Sequence, residues 1–395
     1  MSRANLSLAL LAATWLVGCA PQAGVSPAGT MPGLTPDQTA ALARWTRRPV
    51  VLPWNEFLRE RMSFYRHKVY PPRNARNYAL LNTAMYDAMQ AAARVDSQTA
   101  LGKSAAFGIL QATSRASAEA AAVKAACIIV SHVLPEEAAV AAKMAQDASD
   151  ARVWAGLATV AQVTAGQGLG EAIARELLEQ RRTDGAENYS PIPAEAALGV
   201  PSEKHGGLWN HPVATEPEVR LWRTWGLTKP EQFRLPEPPR PGSAVFDAEL
   251  KEVMGIEATL TDAQKAAADR YALTAPPSDW NRLAVTCIEE QKVGEMAAAR
   301  VLAHWARAQA DAAIACWDSK YWWFQIRPQQ EARRRDPKST FWPYLVTTPS
   351  HPSYPSGHST FSGAGAAVLS RAFPAQAARF EALRDEMSNS RIWGG

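Results

Sequence analysis

Apolar residues along this chain recur at three- and four-residue spacing rather than in alternation, so the pattern predicts helices almost throughout. Ala/Leu-rich segments with that spacing lie at about 55–68, 74–93, 115–133, 136–150 and 158–181, with Pro71-Pro72 and Pro135 breaking between neighbours. Thr35-Pro36-Asp37-Gln38 and Thr261-Asp262-Ala263-Gln264 carry a helix-start signature: the Thr hydroxyl caps an amide three residues on, and Gln reaches back to the Thr amide. Periodicity resumes at 245–256 and continues at 261–273, 280–296, 296–322, 357–372 and 375–388. Residues 185–242 are Pro-rich, hold Trp209, Trp222 and Trp225, and show no sustained period. That stretch predicts an extended loop region wrapping the bundle, and 333–355 reads as a second, polar then Pro-rich loop. The expected architecture is all-α: two packed helical bundles, 35–242 and 243–395, joined by long Pro/Trp-rich loops.

Composition narrows the function classes. A chain of 395 residues, 47% hydrophobic and 20% charged, can bury one large core or two moderate ones. A net charge of +4 is too mild and too dispersed for a nucleic-acid partner, and the interspersed charges read as solvated helix faces. At the start, Arg3 precedes an apolar run from Leu6 to Val17, followed by Gly18-Cys19. The run is too short to span as a mature helix and predicts a secretory signal. Its terminal cysteine resembles a bacterial lipobox; the alternative is an ordinary signal peptide cleaved elsewhere. Cleavage before Cys19 leaves a lipid-modified N-terminus on a Pro/Gly/Ala/Ser-rich tether at 20–34. The expected location is the bacterial cell envelope, exported, with the membrane reached by that lipid alone. No other stretch reaches about 18 consecutive apolar residues. Cys127, Cys287 and Cys316 lack Cys-x-x-Cys spacing, which argues against zinc, and their apolar surroundings favour buried free thiols over a bridge.

The chemistry concentrates near the C-terminus: Lys320 and Arg327-Pro328, then Pro355-Ser356-Gly357-His358, then Ser390-Arg391. Arg offers a planar fork of donors and Lys a compact charge, both suited to the oxygens of a tetrahedral oxyanion. The turn at Ser356-Gly357 opens a helix whose first amides, those of Ser356 and Gly357, favour an anion. His358 is then a titratable group beside it, suited to proton transfer. Taken singly these features are weak: a Lys and Arg seven apart are usually solvated, and Pro-Ser-Gly-His is usually an ordinary helix start. The ordered combination is what singles them out.

The three segments resemble the shared signature of the type 2 phosphatidic acid phosphatases, bacterial acid phosphatases and vanadium-dependent haloperoxidases: Lys-x6-Arg-Pro, Pro-Ser-Gly-His and Ser-Arg-x5-His. Asn77–Ala92, Gly168–Gly185 and Asp311–Pro328 are similar to further segments of the soluble haloperoxidase-like branch, so the likeness covers roughly Trp54 to Gly395. It implies that Lys320, Arg327, Ser356, Gly357 and Arg391 bind the oxygens of vanadate, or of phosphate as a substrate group, with His358 as the acid–base residue. The family's last His, nucleophile or vanadium ligand, falls two positions past Gly395, so no metal-ligating residue is expected within these 395 residues. Trp317 and His351 match positions beside the halide; core packing and loop capping are their plainer readings.

Three functions follow from the resemblance. The first is vanadate-dependent oxidation of halide by hydrogen peroxide, and the second is phosphomonoester hydrolysis in the same pocket. The third is a catalytically inactive anion-binding lipoprotein, which the absence of that final His motivates; the chain as given is expected to be inactive. Partners are small molecules in the first two cases, and a homo-oligomer is left open.

Overall fold

A computed structural model describes residues 34–66, 69–95, 116–186, 209, 211, 213–345 and 348–395. The expected signal, Cys19, nearly all of the tether and much of the covering loop (187–208) lie outside the described residues. Within them are thirteen α-helices and no strand. The first six are α1 (Pro36–Thr46), α2 (Val51–Phe64), α3 (Pro71–Val95), α4 (Ala118–Val133), α5 (Ala138–Trp154) and α6 (Val160–Arg181). Then come α7 (Ala244–Gly255), α8 (Asp262–Leu273), α9 (Pro276–Glu290), α10 (Glu295–Trp323), α11 (Pro328–Arg335), α12 (Gly357–Ala372) and α13 (Ala377–Trp393). No described helix is long and apolar enough to cross a membrane.

The helix starts follow local chemistry. Thr35 and Thr261 form the full capping boxes expected, and Thr159 forms a third before α6. Pro71 and Pro276 open α3 and α9, because a first-turn residue needs no amide donor. The break between α9 and α10 therefore falls at 291–294, with Lys292 left-handed at φ 51°, rather than at 296. The α11 helix was not foreseen. It has eight residues and is strongly polar, with Pro328 in its first turn and Gln330 Oε1 accepting from the Arg327 amide at 3.3 Å.

The main core runs from Leu42 to Met387 and draws on helices from both halves of the chain. Trp54, Tyr78, Trp280 and Trp305 are fully buried in it, and Tyr78 meets Trp305 edge-on at 5.2 Å, joining α3 to α10. Asn55 exchanges amide hydrogen bonds with Asn82 at 2.8 and 2.9 Å and accepts another from Asn281 at 2.8 Å. This polar node fixes α2, α3 and α9 against one another, since a buried amide without partners is costly. On α12, a Cβ at Gly365 would come within 2.5 Å of the Trp280 ring. The glycine permits that close crossing of α9, and Trp280 Nε1 donates to Ser362 Oγ at 3.1 Å beside it.

A second cluster gathers Trp209, Trp222, Trp317, Tyr321, Phe324 and Phe361. The covering segment that carries Trp209 and Trp222 is thus packed on the last turns of α10. Asp311 of α10 anchors it further, accepting from the amides of Trp225, Gly226 and Leu227 at 2.7, 2.7 and 3.1 Å. Cys287 and Cys316 are buried free thiols, while Cys127 is half-buried.

Candidate oxyanion site

Helix α10 runs 29 residues and ends at Phe324, which takes a left-handed conformation at φ 50°. That turn brings Arg327 back toward Lys320. Lys320 is 1% exposed, whereas a Lys–Arg pair seven apart on a helix is ordinarily two solvated charges. Its Nζ donates to the carbonyls of Pro352 at 2.6 Å and Ser353 at 3.1 Å. Arg327 Nε donates to the His351 carbonyl at 2.9 Å, and its Nη2 lies 2.9 Å from His351 Nδ1. Both cations therefore grip one loop at successive residues.

Two imidazole tautomers follow from these partners. A guanidinium only donates, so Nδ1 of His351 must accept and its hydrogen sits on Nε2. The approach of Nδ1 to the Pro352 carbonyl at 3.1 Å is then a contact of two acceptors. His358 Nε2 lies 3.0 Å from the carbonyl of Tyr271. A carbonyl only accepts, so Nε2 carries the hydrogen and Nδ1 keeps its lone pair. Arg391, in the last turn of α13, donates from Nη2 to the carbonyl of Ala268 at 3.2 Å. Helix α8 thus offers two carbonyls, three residues apart, to His358 and Arg391.

Electrostatics tie the groups together. Burial lowers Lys320 to about 7, with Arg327 adding to the effect. Burial also lowers Arg327 to about 10, with Arg391 contributing, and Arg391 itself to about 10. His358 falls to about 3, first through burial, then through Arg391 and Lys320. His351 is held well below its ordinary value by burial, Lys320, Arg327 and His358. Arg327 acts on Lys320, Arg391 on Arg327 and His358, and Lys320 on both imidazoles, so these groups lie within electrostatic reach of one another.

The start of α12 falls at Gly357, as its periodicity predicts. Ser356 is the cap outside the helix, its hydroxyl accepting from the Ser359 amide at 3.2 Å. Helix α12 begins at Gly357, so the amides of Ser356, Gly357 and His358 all precede the first intrahelical bond, which Thr360 makes to the Ser356 carbonyl. Gly357 lies against Trp317, whose ring a Cβ there would approach to 3.8 Å. Trp317 is 2% exposed, and its ring centroid is 5.3 Å from that of His351. It belongs to the core cluster and also forms one wall with His351.

The donor set fits a tetrahedral oxyanion. Among the described residues, no carboxylate lies within ion-pair range of Lys320, Arg327 or Arg391. Their partners are neutral carbonyls, one hydroxyl and one imidazole nitrogen, while burial lowers all three and a neighbouring cation adds to the effect at Lys320 and Arg327. Uncompensated buried positive charge of this kind calls for an anion. No group of carboxylate, thiol and imidazole side chains suited to a bare metal cation occurs among the described residues. The carbonyls of Ala268, Tyr271 and Pro352, and that of Thr215, which accepts from Trp317 Nε1 at 3.2 Å, were missed by sequence reasoning, because a main-chain acceptor has no side-chain signature.

Comparison with known proteins bears on the fold. The family model for the VCPO second helical-bundle domain matches residues 300–387, which contain Lys320, Arg327 and His358. No curated protein matches the chain. Among solved structures, the chain is similar to the first bacterial vanadium-dependent iodoperoxidase, with a TM-score of 0.66 and 21% identity over 93% of this chain and 92% of that one. It is also similar to a bacterial vanadium-dependent chloroperoxidase in its apo form, with a TM-score of 0.59 and 16% identity over 83% and 90% of the two chains. For the holo form the values are 0.57 and 16%, over 89% and 88%. The chain has the fold of the vanadium haloperoxidases, and the second helical bundle of that family is recognisable in its sequence over residues 300–387.

Proposed function

We propose that this chain forms the oxyanion pocket of a vanadate-dependent haloperoxidase, oxidising halide with hydrogen peroxide. The observation that carries the reading is three buried or half-buried cations, Arg327 acting on Lys320 and Arg391 on both Arg327 and His358, with no carboxylate among the described residues paired to them. Vanadate, when bound, would supply the activation of peroxide toward halide. Lys320, Arg327 and Arg391 would hold its oxygens, with the amides of Gly357 and His358 at the start of α12. These donors are fixed before any ligand arrives, so little reorganisation opposes charge development. His358, its Nε2–H engaged by Tyr271, offers the Nδ1 lone pair to a proton. An anion in the cradle would offset Arg391 and Lys320 and return that imidazole toward its ordinary range, where it can take up and release protons near neutral pH. His351, with Nδ1 held by Arg327, presents Nε2–H beside Trp317, a donor suited to a halide.

Phosphomonoester hydrolysis is the second reading, because the same donors recognise tetrahedral oxygens whatever the central atom. Dye bromination and hydrolysis of a chromogenic phosphate ester, each with the wild type and His351→Ala, separate the two. Vanadate-dependent bromination that His351→Ala loses supports the first reading. Ester hydrolysis without bromination supports the second. Phosphate and vanadate binding without turnover of either kind leaves a non-catalytic anion-binding protein.

A further inference from the structure

Thr215 joins three pieces of the site at once. Its amide donates to the carbonyl of Ser350 at 2.7 Å, one residue before His351. Its carbonyl accepts from Trp317 Nε1 at 3.2 Å and from the Tyr321 hydroxyl at 3.0 Å. All three contacts use the Thr215 main chain, so its side chain does not decide where it sits. What holds its backbone does.

The next residue is that holder. Glu216 takes φ 47°, a left-handed conformation that costs a residue with a Cβ about 1–2 kcal/mol. Its side chain is fully buried. Oε1 accepts from Arg73 Nε at 2.9 Å, while Oε2 is buried without a hydrogen-bond partner. Arg73, in the first turn of α3, also donates to the Ala186 carbonyl at 3.0 Å and reaches Glu218 at 3.4 Å. Burial raises Glu216 to about 7 despite Arg73. A strained backbone, a buried carboxylate and an orphaned oxygen thus coincide at one residue. Buried ion pairs seldom gain stability over an apolar pair, and such concentrations of strain cluster at functional sites.

We propose that the Arg73–Glu216 pair is a positioning device: it holds Thr215 where its carbonyl and amide lock Trp317 of α10 to the His351 loop. The halide-side wall is thereby keyed to α3, a helix from the other half of the chain. This rests on the reading of Trp317 and His351 as that wall, and the test is chosen to separate the two.

Labelling with 5-fluorotryptophan and assigning the Trp317 line by its loss in Trp317→Phe gives a fluorine NMR readout that needs neither vanadate nor turnover. Arg73→Met and Glu216→Gly are expected to shift or split that line. Glycine keeps the left-handed backbone and deletes the buried side chain with its carboxylate. Glu216→Gln, which still offers Arg73 an acceptor, leaves the line near its wild-type position. In the active enzyme the first two raise halide KM about tenfold with kcat within about twofold, the mark of a displaced binding wall rather than general damage. If Arg73→Met does not fold, Arg73→Lys replaces it. A single ammonium cannot hold Glu216, Glu218 and Ala186 together, so the line moves there as well. An unmoved Trp317 line in the folded variants overturns the proposal, whatever the activity. A moved line in a protein without haloperoxidase turnover sinks the functional reading and keeps this one.

Discussion

Replacing Lys320 with Met deletes a buried cation while nearly keeping its volume, and the structure predicts a gain in stability. An ammonium lowered from 10.5 to about 7 carries a penalty of about 5 kcal/mol for being charged inside the fold. Against that stand the hydrogen bonds to the Pro352 and Ser353 carbonyls, whose loss returns about 1–1.5 kcal/mol each. The net is about 2 kcal/mol in favour of Lys320→Met, a rise of about 2–4 °C in Tm. Because the folded pKa is depressed, the unfolded chain binds a proton between pH 7 and 10.5 that the folded chain rejects. Wild-type stability from this group therefore increases as pH rises through that window. The advantage of the variant is greatest at and below pH 7 and fades toward pH 10. Phosphate or vanadate reverses the order, since the anion supplies the missing counter-charge to the wild type and finds a weakened cradle in the variant. Thermal unfolding by circular dichroism, in an anion-poor buffer and then with millimolar phosphate, measures both effects. A variant that melts below the wild type without anion, by the same margin at pH 7 and pH 10, would refute the reasoning.

Three further outcomes are expected. Gly365→Ala places a methyl against the Trp280 ring at 2.5 Å and costs about 1–3 kcal/mol by overpacking, read as a lowered Tm. Asp311→Ala leaves the amides of Trp225, Gly226 and Leu227 without their acceptor. A loss of about 2–3 kcal/mol follows, with faster hydrogen exchange across 222–230 than elsewhere. The His358 ring resonances stay those of a neutral imidazole down to about pH 4, because burial and then Arg391 hold its pKa near about 3. Titration near the ordinary value in anion-free protein would contradict this. Since that folded pKa lies below the unfolded one, His358 costs stability as pH falls from about 6.5 toward 3.

Helix periodicity and starts were legible because they are local. The Thr–Gln boxes at 35 and 261 depend on residues three apart, and they form as read. The Lys-x6-Arg-Pro and Pro-Ser-Gly-His segments were legible as chemistry, because few residue types serve an oxyanion. The burial of Lys320 was not, since it depends on the loop at 351–353 folding over α10, a contact 32 residues away. Nor was the role of Ser356 as a cap spending its hydroxyl on Ser359. The α11 helix escaped because its polar sequence has no apolar face to show. Arg73 and Glu216 meet across 143 residues, and no spacing within a segment announces such a pair.

Titration of the protein with vanadate, followed by vanadium NMR or calorimetry with phosphate as competitor, tests the central claim most directly. The convergent cradle predicts one site per chain, displaced by phosphate, and weakened about tenfold or more in both Arg327→Met and Arg391→Met. Vanadate binding that neither substitution weakens, or no saturable site at all, would contradict it.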